Sequence, residues 1–496
     1  MQIQIDRDSG KALFLQIVEE VERLVAQGHI PDGHRMPPTR ELARQLGVNR
    51  NTVVAAYHEL DLRGRTTAHT GRGTFVRTGA ASSRAGVPWD EILGQAAHPR
   101  ALNATLDLHS VPVQEADICF GMNFPAEDLL PVEAFRGVLD QVLETEGARI
   151  LTYGSPMGYG PLRHWIAGSM STPDTPVTAE EIVITTGSQQ AIDLMARALV
   201  EPGDTVLMAE PGFPGALSAF QVYGAQVVGL ESDGDGIRVD ALERALARAP
   251  AKALYVVPNF HNPTGVTMSE ARRRDVLEVA ARHRLPVLED DSSVDLRFEG
   301  ETLPSLHALD DSALTTYVSS FSKKLLPGLR VGWLTGPQAV RQRLVALKQL
   351  ADCSTSLLLQ AAVHEFCRQG LLAQHLEKVR TQYRERRDVM VSAMRRHFPD
   401  GVHWTEPQGG LVLWVTLPQR MDARELLVEA RTRGVAFNAG ELFYAASPRR
   451  HQMRLTFGAT PPQEIRRGIK ILGEILSRNA GRETEHRTDH EAVPLV

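Results

Sequence analysis

Cysteine is scarce: Cys119, Cys353 and Cys367 are the three in 496 residues, far apart and with no C-x-x-C pair. That excludes a disulfide framework and implies free thiols in a reducing cytoplasm. Aromatic residues make up 6%, and no apolar run in the chain approaches the ~20 residues that a membrane-spanning helix needs. A strong net charge is also missing. The balance of 54 Lys and Arg against 60 Asp and Glu is −6, so any surface for nucleic acid must be a local basic patch. The opening MQIQIDRDSGKALFLQIVEE is acidic and amphipathic, unlike a secretion signal. No G-x-x-x-x-G-K-S/T or H-E-x-x-H motif occurs. DGDGIRVD (233–240) opens like a calcium loop, but Ile237, Arg238 and Arg244 stand where an oxygen ligand, a glycine and a glutamate are required. No metal site is expected.

What is present is a long, ordinary globular composition, 43% apolar and 23% charged, enough for two to four domains. LFLQIVEEVERLVAQG puts Leu13, Ile17, Val21, Leu24 and Val25 on one helical stripe ending at Gly28. TRELARQLG reads as a second helix capped by Thr39, without a full capping box, since Leu42 stands where the acid belongs and Glu41 comes one step early. Gly47-Val48 makes a turn, and NRNTVVAAYHELDLRG then buries Val53, Ala56, Tyr57 and Leu60 on a third helix. TTAHTGRGTFVR reads as a hairpin with Gly71 and Gly73 at its tip.

Residues 79–112 turn to Ala, Ser, Gly and Pro and read as a linker, with a short helix expected at PWDEILGQA. Beyond it, strand-like runs (EIVITTG, DTVLMAE, ALYVVPN, PVLEDD, TTYVSSF, VGWLTG) alternate with amphipathic helices, the pattern of an α/β layered domain on a largely parallel sheet. GLVLWVTL and QMRLTF flank a helix at ARELLVEARTRG, which indicates a smaller C-terminal α+β lobe. The expected division is an N-terminal, mostly helical domain at 1–78, the linker at 79–112, a large domain at 113–478, and a polar, disordered tail at 479–496.

The first three helices have helix-turn-helix spacing. The start of the third offers Arg50, Asn51 and Thr52 to base edges or phosphates, while Arg40 and Arg72 on the hairpin tip could hold the backbone. A small helical subdomain with surface arginines would look similar. The stretch G-x-I-P-D-G-x-R-M-P-P-T-R-E-L-A-R-Q-L-G-V-N-R-N-T, with the wing G-R-G-T-F-V, resembles the winged helix-turn-helix of GntR-type bacterial regulators across 10–77. That resemblance implies DNA contacts by Arg40, Arg50, Asn51 and Thr52. Pro-Pro-Thr stands where the family more often has Pro-Ser-Ser or Pro-Ser-Thr.

In the large domain, ITTGSQQAIDL brings a strand into a helix start, so the amides around Gly187, Ser188 and Gln189 suit an anion. NPTG (262–265), EDD (289–291) and SSFSKK each follow a strand, and the carboxyl ends of parallel strands converge on one crevice. Taken singly, each motif reads as well as a cap, an ordinary turn, solvated carboxylates or a surface ion pair. Together and in this order they resemble the fold-type I aminotransferases, which bind pyridoxal 5′-phosphate (PLP), over about 115–475. The family's S-x-S-K lysine forms a Schiff base with the cofactor and an arginine seven residues on binds the phosphate, which here implies Lys323 and Arg330. Strand alternation agrees, leaving Lys324 as a surface charge. The same resemblance makes Ser188, Gln189, Ser320 and Ser322 cradle ligands and pairs Asp290 with the pyridine nitrogen. It has Asn262 donate to the phenolic oxygen and Phe213 stack on the ring. It sends Tyr153 to a partner subunit's phosphate in a homodimer, and has Arg454 grip a ligand carboxylate. Two departures stand out: Ser292 and Ser293 follow EDD where a tyrosine is common, and Asn123-Phe124-Pro125 replaces Gly-x-Pro.

The expected fold class is therefore multidomain: an N-terminal winged helix-turn-helix plus an α/β PLP-dependent transferase of fold type I with a smaller C-terminal lobe. This is the arrangement of MocR-type regulators. It implies a cytoplasmic, homodimeric regulator of double-stranded operator DNA, without membrane contact, sensing PLP or a small amino compound through exchange of the internal for an external aldimine at Lys323. A working aminotransferase with an incidental helix-turn-helix is the alternative, and a repressor with a vestigial cofactor site a third reading.

Overall fold

The computed structural model describes residues 13–26, 29–31, 33–69, 73–77, 118–173, 175–446 and 448–488. The expected linker at 79–112, its short helix, and Gly28, Gly71 and Arg72 lie outside the described residues. The chain divides into two compact units, Met1–Ile92 and Leu93–Val496.

The first unit contains α1 (Leu13–Ala26), α2 (Thr39–Leu46), α3 (Arg50–Leu62), β1 (Thr66–His69) and β2 (Gly73–Val76). Ile17, Val18 and Val21 meet Leu42, Val53, Ala56, Leu60 and Val76 in one apolar core, so helical periodicity in the sequence is what places three helices around a common centre. Gly47 turns the chain between α2 and α3 with φ 61°, a left-handed position that favours glycine. The β1–β2 hairpin is antiparallel with Thr66 opposite Val76. The segment before α2 extends it, since the Met36 amide donates to the Thr74 carbonyl (2.8 Å) and the Val76 amide to the His34 carbonyl (2.9 Å).

One expectation is corrected here. Thr39 is the first residue of α2, not its cap; Pro38 holds the cap position, with φ −53° and no side-chain capping bond. Proline fixes the entry geometry by its ring, and Glu41 supplies a negative charge to the first turn. Thr39→Ala should therefore change the stability of α2 by less than ~0.5 kcal/mol, read by hydrogen exchange of its amides in the full chain. A loss near the ~1 kcal/mol of a deleted cap would restore Thr39 to that role.

The second unit is built on an eight-stranded sheet. Its strands are β4 (Val183–Thr185), β5 (Thr205–Glu210), β6 (Gln226–Asp233), β7 (Gly236–Ile237), β8 (Ala253–Val256), β9 (Val287–Asp290), β10 (Thr315–Ser320) and β11 (Gly332–Thr335). Their order is β4-β11-β10-β9-β8-β5-β6-β7. β11 runs antiparallel to both neighbours, and β7 antiparallel to β6; the other pairings are parallel. Neighbouring residues such as Leu254 and Tyr255, or Val287 and Leu288, fall into different apolar clusters. Both faces of the sheet are therefore covered, which is why these strands read as unbroken apolar runs.

A smaller antiparallel sheet has the order β12 (His403–Trp404), β13 (Val412–Thr416), β16 (Gln452–Thr456), β15 (Asn438–Ala439), with the helix Ala423–Arg431 between β13 and β15 in the chain. The sequence does not announce that β3 (Ile118–Cys119) pairs in parallel with β14 (Val435–Ala436), closing the start of this unit onto its last third. The final helix runs from Pro462 to Thr488. Residues 479–488, expected as the start of a disordered tail, are thus helical. No helix among the described residues is long and apolar enough to cross a membrane.

Candidate functional site

β10 ends at Ser320, and the chain turns at once. Ser320 Oγ accepts the Ser322 amide at 3.0 Å, and the Leu325 amide donates to the Phe321 carbonyl at 2.9 Å. The two lysines therefore lie on a helix-like turn, not on the strand, and strand alternation is not what separates them. Lys323 Nζ donates to the Asn123 carbonyl. Lys324 points elsewhere, into an ion pair with Asp295, with its ammonium 4.6 Å from the Trp333 ring centre and 5.2 Å from that of Phe321. At 6% exposure it is buried, so the expectation of a surface charge is overturned: an aromatic wall and a carboxylate replace its water. Burial alone would raise Asp295, but the Lys324 pair outweighs it and holds the carboxyl below its usual range.

Lys323 is depressed to about 8. Burial is the largest cause, and Arg454 and Arg330 add to it while Asp290 opposes them. A useful fraction of neutral amine is thus available near neutral pH. Asp290, at the end of β9, accepts from the Tyr255 hydroxyl through one oxygen (2.8 Å) and from Ser292 Oγ (2.6 Å) and the Ser292 amide (3.2 Å) through the other. Burial pushes its pKa up and these bonds pull it down. Glu289 and Asp291 are buried too, so the E-D-D run is not solvated. Glu289 accepts the Leu306 and His307 amides and Asp291 accepts from Asn259; burial raises both acids.

The helix Gly187–Leu199 begins beside Arg330. Gly187 has φ +77°, and a Cβ there would lie 2.5 Å from the Arg330 guanidinium; only glycine fits. Arg330 donates to Ser322 Oγ (3.2 Å) and to the Thr186 carbonyl (3.4 Å), and Ser320 Oγ lies 2.9 Å from Ser322 Oγ. A helix start, an arginine and two hydroxyls thus lie together, a donor set that suits an anion. Ser188 is in the first turn. Gln189 is there too, but its amide donates to the Gly215 carbonyl (2.8 Å), which fixes the loop carrying half-buried Phe213.

Arg454 on β16 reaches the same crevice. It donates to Asn262 Oδ1 (2.9 Å), Asn438 Oδ1 (2.7 Å) and the Gly121 carbonyl (2.7 Å), with its guanidinium 5.0 Å from the Phe443 ring centre. It is 4% exposed, and its Nε has no hydrogen-bond partner among the described residues. Burial lowers its pKa to about 9. A buried cation held only by neutral acceptors is costly until an anion joins it. Tyr153 stands apart from this cluster, 89% exposed.

In the first unit, Arg40 and Arg50 are exposed, at the starts of α2 and α3. Asn51 and Thr52 follow Arg50 in the first turn of α3, with Thr52 half-buried. The Tyr57 hydroxyl donates to the Pro37 carbonyl (2.7 Å), tying α3 to the P-P-T segment ahead of Arg40.

Sequence reading missed Tyr255, Asn438, Gly121 and Phe443, and named Asn123 only as a departure from Gly-x-Pro. Tyr255 left a signal, a hydroxyl inside the otherwise apolar A-L-Y-V-V run. The others left none, because the smaller lobe brings them in from distant chain.

Comparison with known proteins agrees with this geometry. Residues 118–472 match the aminotransferase class I and II family and residues 13–76 the gntR family of bacterial regulatory proteins. Aromatic-amino-acid aminotransferase 1 of Thermococcus litoralis is 37% identical over 71% of this chain and 86% of its own. The probable rhizopine catabolism regulatory protein MocR of Rhizobium meliloti is 29% identical over 94% of each chain. Among solved structures, the α-aminoadipate aminotransferase LysN of Thermus thermophilus, complexed with N-(5′-phosphopyridoxyl)-L-leucine, superimposes with a TM-score of 0.75 at 33% identity, covering 80% of this chain and 100% of that one. A helix-turn-helix reader ahead of a sheet-borne lysine, aspartate and arginine cluster is thus the MocR-type arrangement, and the chain belongs to the class I and II aminotransferase family, with a GntR-type DNA-binding domain at its amino end.

Proposed function

We propose that this protein is a cytoplasmic, homodimeric transcriptional regulator that senses a small amino compound, or PLP itself, at Lys323. The reader would occupy 1–78 and the effector domain 113–478, joined by the 79–112 linker. The residues present fit PLP. Gly187 leaves the space that a Cβ would fill, and Arg330, Ser320, Ser322 and the Ser188–Gln189 turn are a donor set for a phosphate. Asp290 would face the ring nitrogen, Asn262 the ring oxygen and Phe213 the ring face. When bound, PLP supplies an amine-reactive aldehyde and an electron-withdrawing ring. Lys323 would offer its depressed amine to that aldehyde, and Asp290, hydrogen-bonded by Tyr255 and Ser292, would be the group facing the ring nitrogen's proton. Arg454 would bind the carboxylate of an effector whose amine competes with Lys323. Tyr153, exposed in this chain, would serve the partner subunit's site.

The observation that carries this reading is the uncompensated Arg454 guanidinium beside Lys323, in a chain that begins with a DNA reader. The test is footprinting on promoter DNA, with and without PLP and amino compounds selected by their effect on the protein's absorbance. Protection that changes with the compound supports the reading; protection indifferent to every compound that alters the spectrum overturns it. Arg50→Ala should weaken specific binding by ~1–3 kcal/mol, as for a lost base-edge contact, and wild-type affinity should fall steeply with salt. Unchanged affinity in the variant would move the base contacts elsewhere.

The intact Lys323, Asp290 and Arg454 set also favours a second reading, a working aminotransferase. Turnover measurements decide between the two.

A further inference from the structure

We propose that Asp352 is a positioning residue for the anion cradle, fixing the Gly187–Gln189 turn from behind, with Lys348 as the charge that makes a carboxylate tolerable there. The three cradle residues are bracketed by Thr186 and Gln190, and both bracketing side chains end on one oxygen. Thr186 Oγ donates to Asp352 Oδ2 at 3.1 Å, and Gln190 Nε2 donates to the same oxygen at 2.8 Å. Gln190 Oε1 in turn accepts the Thr186 amide at 2.8 Å. The Thr186 carbonyl is the group that receives Arg330 at 3.4 Å. One carboxylate therefore holds both ends of the turn and, through Thr186, the backbone oxygen that orients the cradle's arginine.

A carboxylate one residue behind an anion site would by itself repel the anion. Here its other oxygen accepts from Lys348 Nζ at 2.8 Å, one helical turn earlier on Gln338–Asp352. Lys348 is fully buried, so it cannot drift to another partner. Burial alone would raise Asp352, but the bonds from Lys348, Gln190 and Thr186 outweigh it and hold the group ionised at neutral pH. The pair is net neutral, and its hydrogen bonds order the cradle without opposing the incoming charge.

The inference rests on reading the cradle as a phosphate site, and a comparison of two probes keeps the two ideas separable. PLP and pyridoxal both carry the aldehyde that Lys323 can engage, but pyridoxal lacks the phosphate. Their affinities for the full-length protein are measured by fluorescence titration, and attachment at Lys323 by borohydride reduction. Wild type should prefer PLP strongly. Asp352→Ala should lose roughly ten- to a hundredfold in PLP affinity, the scale of one or two charged hydrogen bonds, and change pyridoxal affinity by less than about twofold on the same scale. Lys348→Met, which leaves the carboxylate uncompensated, should lower PLP affinity selectively in the same way. Thr186→Val removes one tie without touching a charge and should show a smaller selective loss, which serves if Asp352→Ala does not fold. Equal loss of both probes, or loss of neither, would overturn a positioning role. Absence of any PLP preference in wild type would instead overturn the phosphate reading of the cradle.

Discussion

Lys323→Ala should retain no covalently bound cofactor after borohydride reduction, whereas Lys324→Ala should retain it and fail in a different way. The reason is the turn after Ser320, which sends adjacent lysines into unlike surroundings. Lys323 meets Asn123, Asp290 and two arginines, and its amine is depressed to about 8. Lys324 closes an ion pair with Asp295 over Trp333 and Phe321. Truncating it strands Asp295 and opens a gap in an aromatic wall. The cost should be ~3 kcal/mol, the low end for a broken buried pair, because Asp295 keeps about a third of its side-chain surface in water. Mass spectrometry of reduced, digested protein locates the cofactor, and denaturant unfolding reads the stability. Cofactor found on Lys324, or an unperturbed Lys324→Ala, would contradict the assignment. The pH dependence has a definite sign. Protonated amine cannot attack, so the attachment rate of the cofactor-free protein should rise with pH and level off above about 8. Below that it should fall tenfold per unit.

The second large effect belongs to Arg454. Its guanidinium has no ion-pair partner among the described residues and an unused Nε, so an effector carboxylate would satisfy a charge that the fold leaves to neutral acceptors alone. Arg454→Ala should weaken a carboxylate-bearing effector by ~3–5 kcal/mol, about two to three and a half powers of ten. A decarboxylated analogue should lose little. Arg454→Lys should recover only part of the effect, since an ammonium cannot span two oxygens in one plane. The same protein mixed with effector and a keto acid shows whether chemistry completes. We expect a spectral change that vanishes in Arg454→Ala, without sustained product. Turnover near ~10 s⁻¹, the enzyme median, would make this an aminotransferase first.

The expectation of little sustained product rests on Ser292 standing where a tyrosine is common. The structure adds that Ser292 has a task of its own, donating to Asp290 at 2.6 Å, with Tyr255 on the opposite oxygen. Asp290 is thus supported from both sides, whereas on the proposed reading the ring oxygen would have Asn262 alone, whose Oδ1 accepts from Arg454.

Local chemistry made much of this protein legible in one dimension. Helical periodicity placed Val53, Ala56 and Leu60 in the core of the reader, Gly47 marked its turn, and apolar runs ending in E-D-D and S-S-F-S-K-K marked strands that deliver side chains to one crevice. These are short-range facts, set by side-chain period and by the φ that a residue can adopt. Tertiary structure decided the rest. Lys324 is buried because Asp295 and Trp333, 29 and 9 residues away in sequence, close over it, and no property of the K-K pair carries that. Arg454 is assembled with Gly121, Asn262 and Asn438 across as many as 333 residues, because β3 pairs with β14 and returns the start of the unit to its end. Asp352 stands behind the cradle only because the helix Gln338–Asp352 packs beside Gly187–Leu199. Electrostatic environment is a sum over neighbours in space, and in a sheet wound by long crossovers those neighbours are seldom neighbours in the chain.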